Sequence, residues 1–165
     1  MGRVLAAALI AAALTACTPD PKLVGQMGLA VDAHGRPVLV LAACSGAIDT
    51  VALSLLPYGS ETANGEVGSW RTGVTVDGLA RLPLTTLDGD WVGRPVTLAP
   101  GRHYIASAGS TRNDADALND LTFATAQLKA LRPGRVYVDA DDPDSEELVP
   151  HPAANFRAWA CREIG

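Results

Sequence analysis

The chain has 165 residues, the size of one domain, and 48% of them are hydrophobic, which suffices for a buried core and excludes a disordered chain. Its net charge of −5 excludes the basic surface that a nucleic-acid-binding protein needs, so we expect no nucleic-acid partner. Aromatic residues make up only 5%, which leaves few side chains for stacking on bases or sugars.

The chain begins with a predicted secretory leader. Arg3 supplies a positive charge, and residues 4–14 form an uninterrupted apolar run of eleven residues. A membrane-spanning helix needs about 20 apolar residues, so this run is too short to cross a bilayer. A short positive start followed by a short apolar core is typical of a signal peptide, and we assign residues 1–16 to one.

The apolar run ends in Leu14-Thr15-Ala16-Cys17, which resembles the lipobox of bacterial lipoproteins. The resemblance implies cleavage before Cys17 and a diacylglyceryl group on its sulfur, which would anchor the mature protein in the cell membrane at its extracytoplasmic face. Two acyl chains hold a protein firmly on a membrane, whereas one binds only marginally. The alternative is an ordinary signal peptide cut after Ala16, with Cys17 left as a plain thiol. The bias of eleven arginines to two lysines resembles proteins of high-GC bacteria such as actinobacteria.

Residues 17–22 form the lipidated cysteine and a short tether that contains two prolines. Six extended residues reach about 20 Å, at roughly 3.3–3.6 Å each. The domain over residues 23–165 is therefore expected to lie close to the membrane surface. Without the leader the chain has twelve basic and eighteen acidic side chains, a net charge of −6.

Cys44 and Cys161 are the two remaining cysteines. A secreted protein folds where disulfides form and persist, and two cysteines allow only one pairing. We expect a Cys44–Cys161 disulfide that attaches the C-terminal segment to the strand near Cys44; two buried free thiols are the alternative. A catalytic cysteine would need a neighbouring base, and neither position has one nearby in the sequence.

The mature domain is predicted to consist of short strands separated by turns. Continuous apolar runs and period-two alternation are both strand patterns. The predicted strands are 24–31, 38–44, 48–56, 70–76, 79–84, 96–98, 104–110, 121–125 and 134–138. Long polar loops are expected at 57–69 and 111–120. This pattern favours an all-β fold, a single β-sandwich of about seven strands.

Local signals predict where the chain turns. Residues 32–37 contain glycine and proline and are expected to form a turn. Ser45-Gly46 is expected to turn the chain after a strand buried on both faces. Asp77-Gly78 is a strong two-residue signal for a hairpin.

The C-terminal segment 152–162 is predicted to form a short helix. Phe156, Trp159 and Ala160 are spaced for one helical face, and Pro152 suits a first helical turn. A final strand is the alternative. The acidic segment before it, 139–150, is expected to be irregular.

The sequence Pro-Gly-Arg-His-Tyr that ends at Tyr104 resembles the tyrosine corner of immunoglobulin-like and fibronectin-type-III-like sandwiches. The resemblance implies an immunoglobulin-like fold in which the Tyr104 hydroxyl bonds to backbone just upstream. A second copy of the motif ends at Tyr137. We favour the first copy, because Val136 and Val138 are expected to point inward, which would turn Tyr137 outward. Two simple Pro-Gly turns are the alternative.

No set of residues in the sequence has the spacing of a known catalytic or cofactor site. A Gly-x-Ser-x-Gly elbow and a glycine-rich phosphate loop are both absent. His34, His103 and His151 lack the spacing of zinc ligands. We therefore expect no catalytic residue, no resident metal and no cofactor.

The acidic stretch 139–147 is the one candidate for a calcium site. Closely spaced carboxylates on a loop can bind Ca²⁺, although the stretch lacks the glycine and the twelve-residue frame of an EF-hand. The candidate ligands are Asp139, Asp141, Asp142 and Asp144. We favour the alternative, a solvated acidic loop.

The lack of a catalytic pattern favours a lipid-anchored, extracytoplasmic β-sandwich that binds an envelope protein or wall component and does no chemistry. The alternatives are an accessory or sensor subunit of a membrane complex, and an enzyme of unfamiliar type, which polar side chains clustered in a deep cleft would favour. The loops 57–69 and 111–120 are expected to form the binding surface, by analogy with sandwich folds. Three tryptophans either fill the core or line a ligand groove: Trp70, Trp91 and Trp159.

If Cys17 carries the lipid, replacing it with serine removes the sulfur that accepts the diacylglyceryl group. We expect Cys17→Ser to accumulate as an unprocessed precursor without radiolabelled fatty acid, as measured on gels of membrane fractions. The neighbouring Thr18→Ala variant should keep both processing and label. Label that persists on Cys17→Ser would contradict the assignment.

Overall fold

The computed structural model describes residues 20–56, 65–113, 115–140 and 145–164. In this part of the chain nine strands form one mixed sheet, and a helix follows the last strand. The strands are β1 (Lys22–Val31), β2 (Pro37–Leu55), β3 (Glu66–Pro83), β4 (Trp91–Gly93), β5 (His103–Gly109), β6 (Asp116–Leu118), β7 (Leu121–Ala124), β8 (Arg135–Asp139) and β9 (Leu148–Pro152). The helix α1 (Phe156–Glu163) follows a 3₁₀ turn over Ala153–Asn155. The predicted signal peptide and Cys17 lie outside the described residues.

The sheet is built around β2. One edge of β2 pairs with β3, while the opposite edge pairs first with β1 and then with β5. β5 in turn pairs with β6, and β6 pairs with β1 in parallel, so four strands close a partial ring. The mainly β fold and the short C-terminal helix are confirmed. The described strands number nine and belong to one mixed sheet, so the fold is not clearly the predicted seven-stranded immunoglobulin-like sandwich.

A bulge interrupts β2 where a turn was expected. Ala43 pairs with Gly78 and Ile48 pairs with Val76, so four residues of β2 lie opposite the single residue Asp77. Extra residues in one strand bend it without reversing its direction. The predicted turn at Ser45-Gly46 is therefore wrong.

The predicted hairpin at Asp77-Gly78 is also wrong. The segments on either side of it belong to one strand, β3, and both pair with β2. Gly46 and Gly78 have positive φ angles of 72° and 106°, which a bulge or bend uses as readily as a tight turn does.

Two groups hold the bulge in place. Cys44 forms a disulfide with Cys161 of α1, with 5.3 Å between the Cα atoms, which confirms the predicted pairing. Asp116 of β6 is buried and accepts the N–H of Ala47 at 3.2 Å. A Cβ at Gly46 would lie only 2.3 Å from the Asp116 carboxylate, so the bulge requires glycine there. The disulfide thus connects the bulge to α1, and Asp116 connects it to β6.

The core has two parts on opposite faces of the sheet. The larger part lies on the face that includes Trp70 and Tyr104, and its members are fully or nearly fully buried. The smaller part joins β1, β2 and β8 to α1 through Phe156 and Ala160, both fully buried. Because α1 covers the second face, residues 38–43 are buried on both sides, as predicted.

Several predicted boundaries shift in the structure. Lys22 pairs with Asp116, so the tether ends at Pro21 rather than at residue 22. The predicted loop at 57–69 ends earlier, because β3 begins at Glu66, and residues 57–64 lie outside the described residues. The loop at 111–120 contains β6, and the acidic segment 139–150 ends in β9.

Both copies of the Pro-Gly-x-x-Tyr motif form the same hydrogen bond. The Tyr104 hydroxyl accepts the N–H of Ala99 at 2.8 Å, and the Tyr137 hydroxyl accepts the N–H of Arg132 at 3.0 Å. The bond expected of Tyr104 is therefore present. The outward orientation expected of Tyr137 is wrong, because it is buried in the main core while its neighbours in β8 pack against α1. Both faces of β8 are thus covered.

We expect Tyr104→Phe and Tyr137→Phe to lower the free energy of unfolding by similar amounts, about 1 kcal/mol each, the typical net contribution of one hydrogen bond. Hydrogen exchange provides an internal control. Tyr104→Phe should accelerate exchange of the Ala99 amide and leave the Arg132 amide protected, and Tyr137→Phe should do the reverse. Equal protection of both amides in both variants would contradict the assigned bonds.

Candidate functional site

A cleft of about 500 Å³ opens where β1 and β8 separate. The two strands are joined by a single antiparallel pairing, Leu29 with Tyr137. If the ladder continued, Met27 would lie opposite Asp139; both residues line the cleft instead. The cleft is therefore the gap left by an interrupted ladder. Its lining residues are Gln26, Met27, Asn119, Asp120, Val138, Asp139, Ala140, Val149, His151, Trp159 and Glu163.

The ladder is interrupted beside a close crossing of the two strands. A Cβ at Gly28 would lie 2.4 Å from Cγ1 of Val136 and 3.3 Å from Cζ of Phe156. Glycine thus lets β8 and α1 approach β1 at this point. On the other side of the gap, the Asn119 N–H donates to the Gly25 carbonyl at 3.2 Å and holds the β6–β7 connection against β1.

The polar lining of the cleft is negatively charged. Asp120, Asp139 and Glu163 contribute carboxylates, and no lysine or arginine belongs to the lining. Within the described ranges none of these three carboxylates forms an ion pair. Gln26 and Asn119 add side-chain amides, which can both donate and accept hydrogen bonds.

An aromatic wall closes the cleft on the side of α1. The rings of Trp159 and His151 are stacked, with centroids 3.8 Å apart and an interplanar angle of 27°. Phe156 supports Trp159 from the core, with centroids 5.7 Å apart. The pairing of β8 with β9 places His151 beside the helix, so strand register and helical spacing together fix the wall.

Asp139 is the most desolvated carboxylate of the cleft. Burial raises its pKa, the N–H of Thr122 that donates to its Oδ2 at 2.9 Å opposes the rise, and the nearby charge of Asp120 adds to it. A carboxylate that is partly buried next to another is costly to ionise unless a cation lies close to it. Among the described residues, the cleft therefore places a partly desolvated carboxylate beside an aromatic surface with no lysine or arginine in its lining.

The structure brings together only some of the residues that the sequence singled out. Trp159, His151 and Asp139 meet at the cleft, although they were considered for separate roles. Trp70 and Trp91 are buried in the core instead, and Trp91 donates its Nε1–H to the Arg81 carbonyl at 3.1 Å.

The other histidines lie elsewhere. His34 is exposed in the β1–β2 turn, where its backbone N–H donates to Asp32. In the same turn, Asp32 accepts hydrogen bonds from the backbone N–H and the guanidinium of Arg36. These contacts lower the pKa of Asp32 to about 2, and the backbone N–H of Arg36 contributes most to the lowering. Nδ1 of His103 lies 4.0 Å from Oε1 of Glu146, in a smaller pocket next to the cleft.

Of the four predicted calcium ligands, Asp139 lies at the end of β8 and accepts the N–H of Thr122. Asp141, Asp142 and Asp144 lie outside the described residues. In residues 20–56, 65–113, 115–140 and 145–164, no group of three or more His, Cys, Asp or Glu side chains is arranged to hold a metal ion.

Sequence reasoning did not single out Gln26 or Glu163, whereas Asn119 and Asp120 lie in the loop 111–120 that was expected to contribute to a binding surface. One signal was available, since Glu163 follows Trp159 by four positions and therefore shares its helical face. Gln26 lies in β1, and its proximity to the rest of the cleft follows from strand order alone, which the sequence pattern does not reveal.

A second missed pair of acids is structural. Asp49 is buried and accepts the N–H and the hydroxyl of Thr111, both at 2.7 Å. It shares the buried strand face with Val51 and Leu53, and an acid on an apolar face is a signal for such a role. Asp49 thus binds the β5–β6 connection to β2, and Asp116 binds β6 to the bulge of β2.

The part of the chain that the structure describes contains no helix both long and apolar enough to span a membrane. Comparisons of the chain with protein-family models, with curated proteins and with solved structures found no match.

Replacing Asp139 with asparagine tests its environment. A carboxyl whose pKa is raised on folding binds its proton more tightly in the folded state, so its contribution to stability falls as pH rises above the unfolded value of 3.8. Asparagine removes this penalty and keeps an acceptor for Thr122. We expect the melting temperature of Asp139→Asn, relative to wild type, to rise from acidic to neutral pH.

Thermal melts across that pH range measure the difference. The exposed Asp120→Asn variant is the matched control and should give a smaller change with the same sign, because it relieves only the mutual repulsion. The assigned environment would be contradicted if Asp139→Asn melted at a lower temperature than wild type and the difference grew towards neutral pH.

Proposed function

We propose that the chain is a lipid-anchored extracytoplasmic binding module that holds a small ligand in the cleft between β1 and β8 and does no chemistry on it. The observation behind the proposal is the cleft itself. Its volume of about 500 Å³ falls within the range of small-molecule sites, and five polar side chains line it beside an aromatic wall.

The location is supported by two features. The Cys44–Cys161 disulfide indicates an oxidising compartment outside the cytoplasm. The lipobox-like sequence before Cys17 supports the lipid anchor, and the tether of residues 17–21 would keep the domain close to the membrane. A binding module in that position would bind a ligand or partner at the membrane surface. An accessory or sensor subunit of a membrane complex is one protein of this kind.

The carboxylates favour one rival, an enzyme that uses acid–base chemistry. Paired carboxylates with different environments are typical of general acid–base sites. The nearby charge of Asp120 contributes to the raised pKa of Asp139. The binding proposal is preferred because the remaining lining residues, amides, aromatics and aliphatics, are groups that hold and orient a ligand.

A thermal-shift experiment with recovery of the ligand separates the two functions. The full mature protein in non-ionic detergent is incubated with small molecules extracted from the bacterial envelope. A compound that binds only the folded state raises the melting temperature, by an amount that grows with its concentration. We expect such a rise, and we expect mass spectrometry to recover the bound compound unchanged after long incubation.

Trp159→Ala removes the aromatic wall and should abolish the ligand-induced rise in melting temperature. Trp91→Phe, in the core, should lower the melting temperature without ligand but keep the rise. Recovery of a converted product would establish the enzyme instead. Extracts that never raise the melting temperature would contradict both.

A further inference from the structure

We propose that the ligand of the cleft is a small organic cation, bound through an alkylammonium or guanidinium group. This inference rests on the proposed binding function and specifies its ligand class. It follows from the charge, the shape and the composition of the lining.

Charge supplies the first argument. The cleft contains the carboxylates of Asp120, Asp139 and Glu163, and no lysine or arginine of the described chain neutralises them. Oppositely charged ligands relieve the repulsion between such groups, and they gain most beside a partly desolvated carboxylate such as Asp139. An anionic ligand would add to the repulsion, and a neutral one would leave it unchanged.

The chemistry of the walls indicates an organic cation rather than a metal ion. No metal-holding group of side chains occurs in the described residues, and the Trp159 indole offers no metal ligand. Ammonium and guanidinium groups do interact favourably with the face of an aromatic ring. Val138 and Val149, which pair across β8 and β9, provide an apolar surface for an alkyl chain.

The amides explain how such a ligand is oriented. The side-chain oxygens of Gln26 and Asn119 accept N–H groups, and both residues line the same cleft as Asp139. An alkylammonium offers three donors and a guanidinium offers five, so either can contact a carboxylate and an amide together. Quaternary ammonium groups have no N–H donor and should bind less well.

Isothermal titration calorimetry on the full mature protein in detergent tests the proposal. The probes are 1,5-diaminopentane and agmatine, with the neutral isostere 1,5-pentanediol, glucose and calcium chloride as comparisons. We expect saturable binding of one or both amines that weakens with added salt, and no binding of the diol.

Two isosteric variants localise the interaction. Asp139→Asn should weaken amine binding by about tenfold to a hundredfold, the effect of losing one hydrogen bond to a charged group. Asp88→Asn removes an exposed carboxylate outside the cleft and should leave affinity unchanged. Thermal melts of both variants verify that they are folded.

Three outcomes would overturn the proposal: amines that do not bind at all, amines that bind equally well to Asp139→Asn, and a diol, sugar or calcium ion that binds as tightly as the amines. Binding of the sugar at the cleft would leave the proposed binding function intact. Failure of the ligand class shows in the calorimetry, whereas failure of the binding function shows when no small molecule of the envelope extract raises the melting temperature. The two failures are therefore distinguishable.

Discussion

The bulge in β2 is the constraint on which the other strands depend. It lies where β2 exchanges β1 for β5 as its neighbour, so it decides which strands close the ring. Extra residues here would destabilise an unsupported sheet, because a bulge leaves backbone groups without ladder partners. The Asp116 carboxylate supplies a partner for Ala47, and the disulfide fixes Cys44. In the chain-entropy account, closing a loop of this size contributes up to about 4.7 kcal/mol.

The patterns that the sequence reveals are local ones. Apolar runs and period-two alternation located most of the strands, and the spacing of Phe156, Trp159 and Ala160 located the helix. A secreted chain with two cysteines left a single pairing to expect. Each of these inferences uses residues close together in the chain, or a count.

The wrong predictions concern places where contacts between distant segments select one of two structures that the local sequence allows equally. A glycine with positive φ suits a turn and a bulge equally, and only the pairing of both halves of β3 with β2 distinguishes them. Tyr137 was expected to point outward because β8 was assumed to have one buried face, whereas α1 covers the other. Only the contribution of the loop 111–120 was anticipated, and the rest of the cleft was not, for the same reason: the cleft joins β1, the β6–β7 connection, β8, β9 and α1, which strand order alone brings together.

The cleft in turn depends on how α1 is attached. A helix of eight residues is too short to be stable alone, so its position depends on tertiary contacts. Burial of Phe156 contributes about 1.5–3 kcal/mol to them. Cys161 lies between Trp159 and Glu163 in sequence, so the same disulfide that fixes the bulge also restrains the two helical residues that line the cleft.

That bond also changes what a protease can do to the protein. It joins residues 117 positions apart, so every strand of the domain except β1 and the first part of β2 lies within one covalent loop. Cutting any single peptide bond between Cys44 and Cys161 opens the loop but releases no fragment. The two pieces stay linked at the bulge, with α1 still fastened to β2, and they can remain associated through the sheet. Outside the cytoplasm, where peptidases are met without a cellular supply of reductant, a molecule nicked once would therefore remain one molecule.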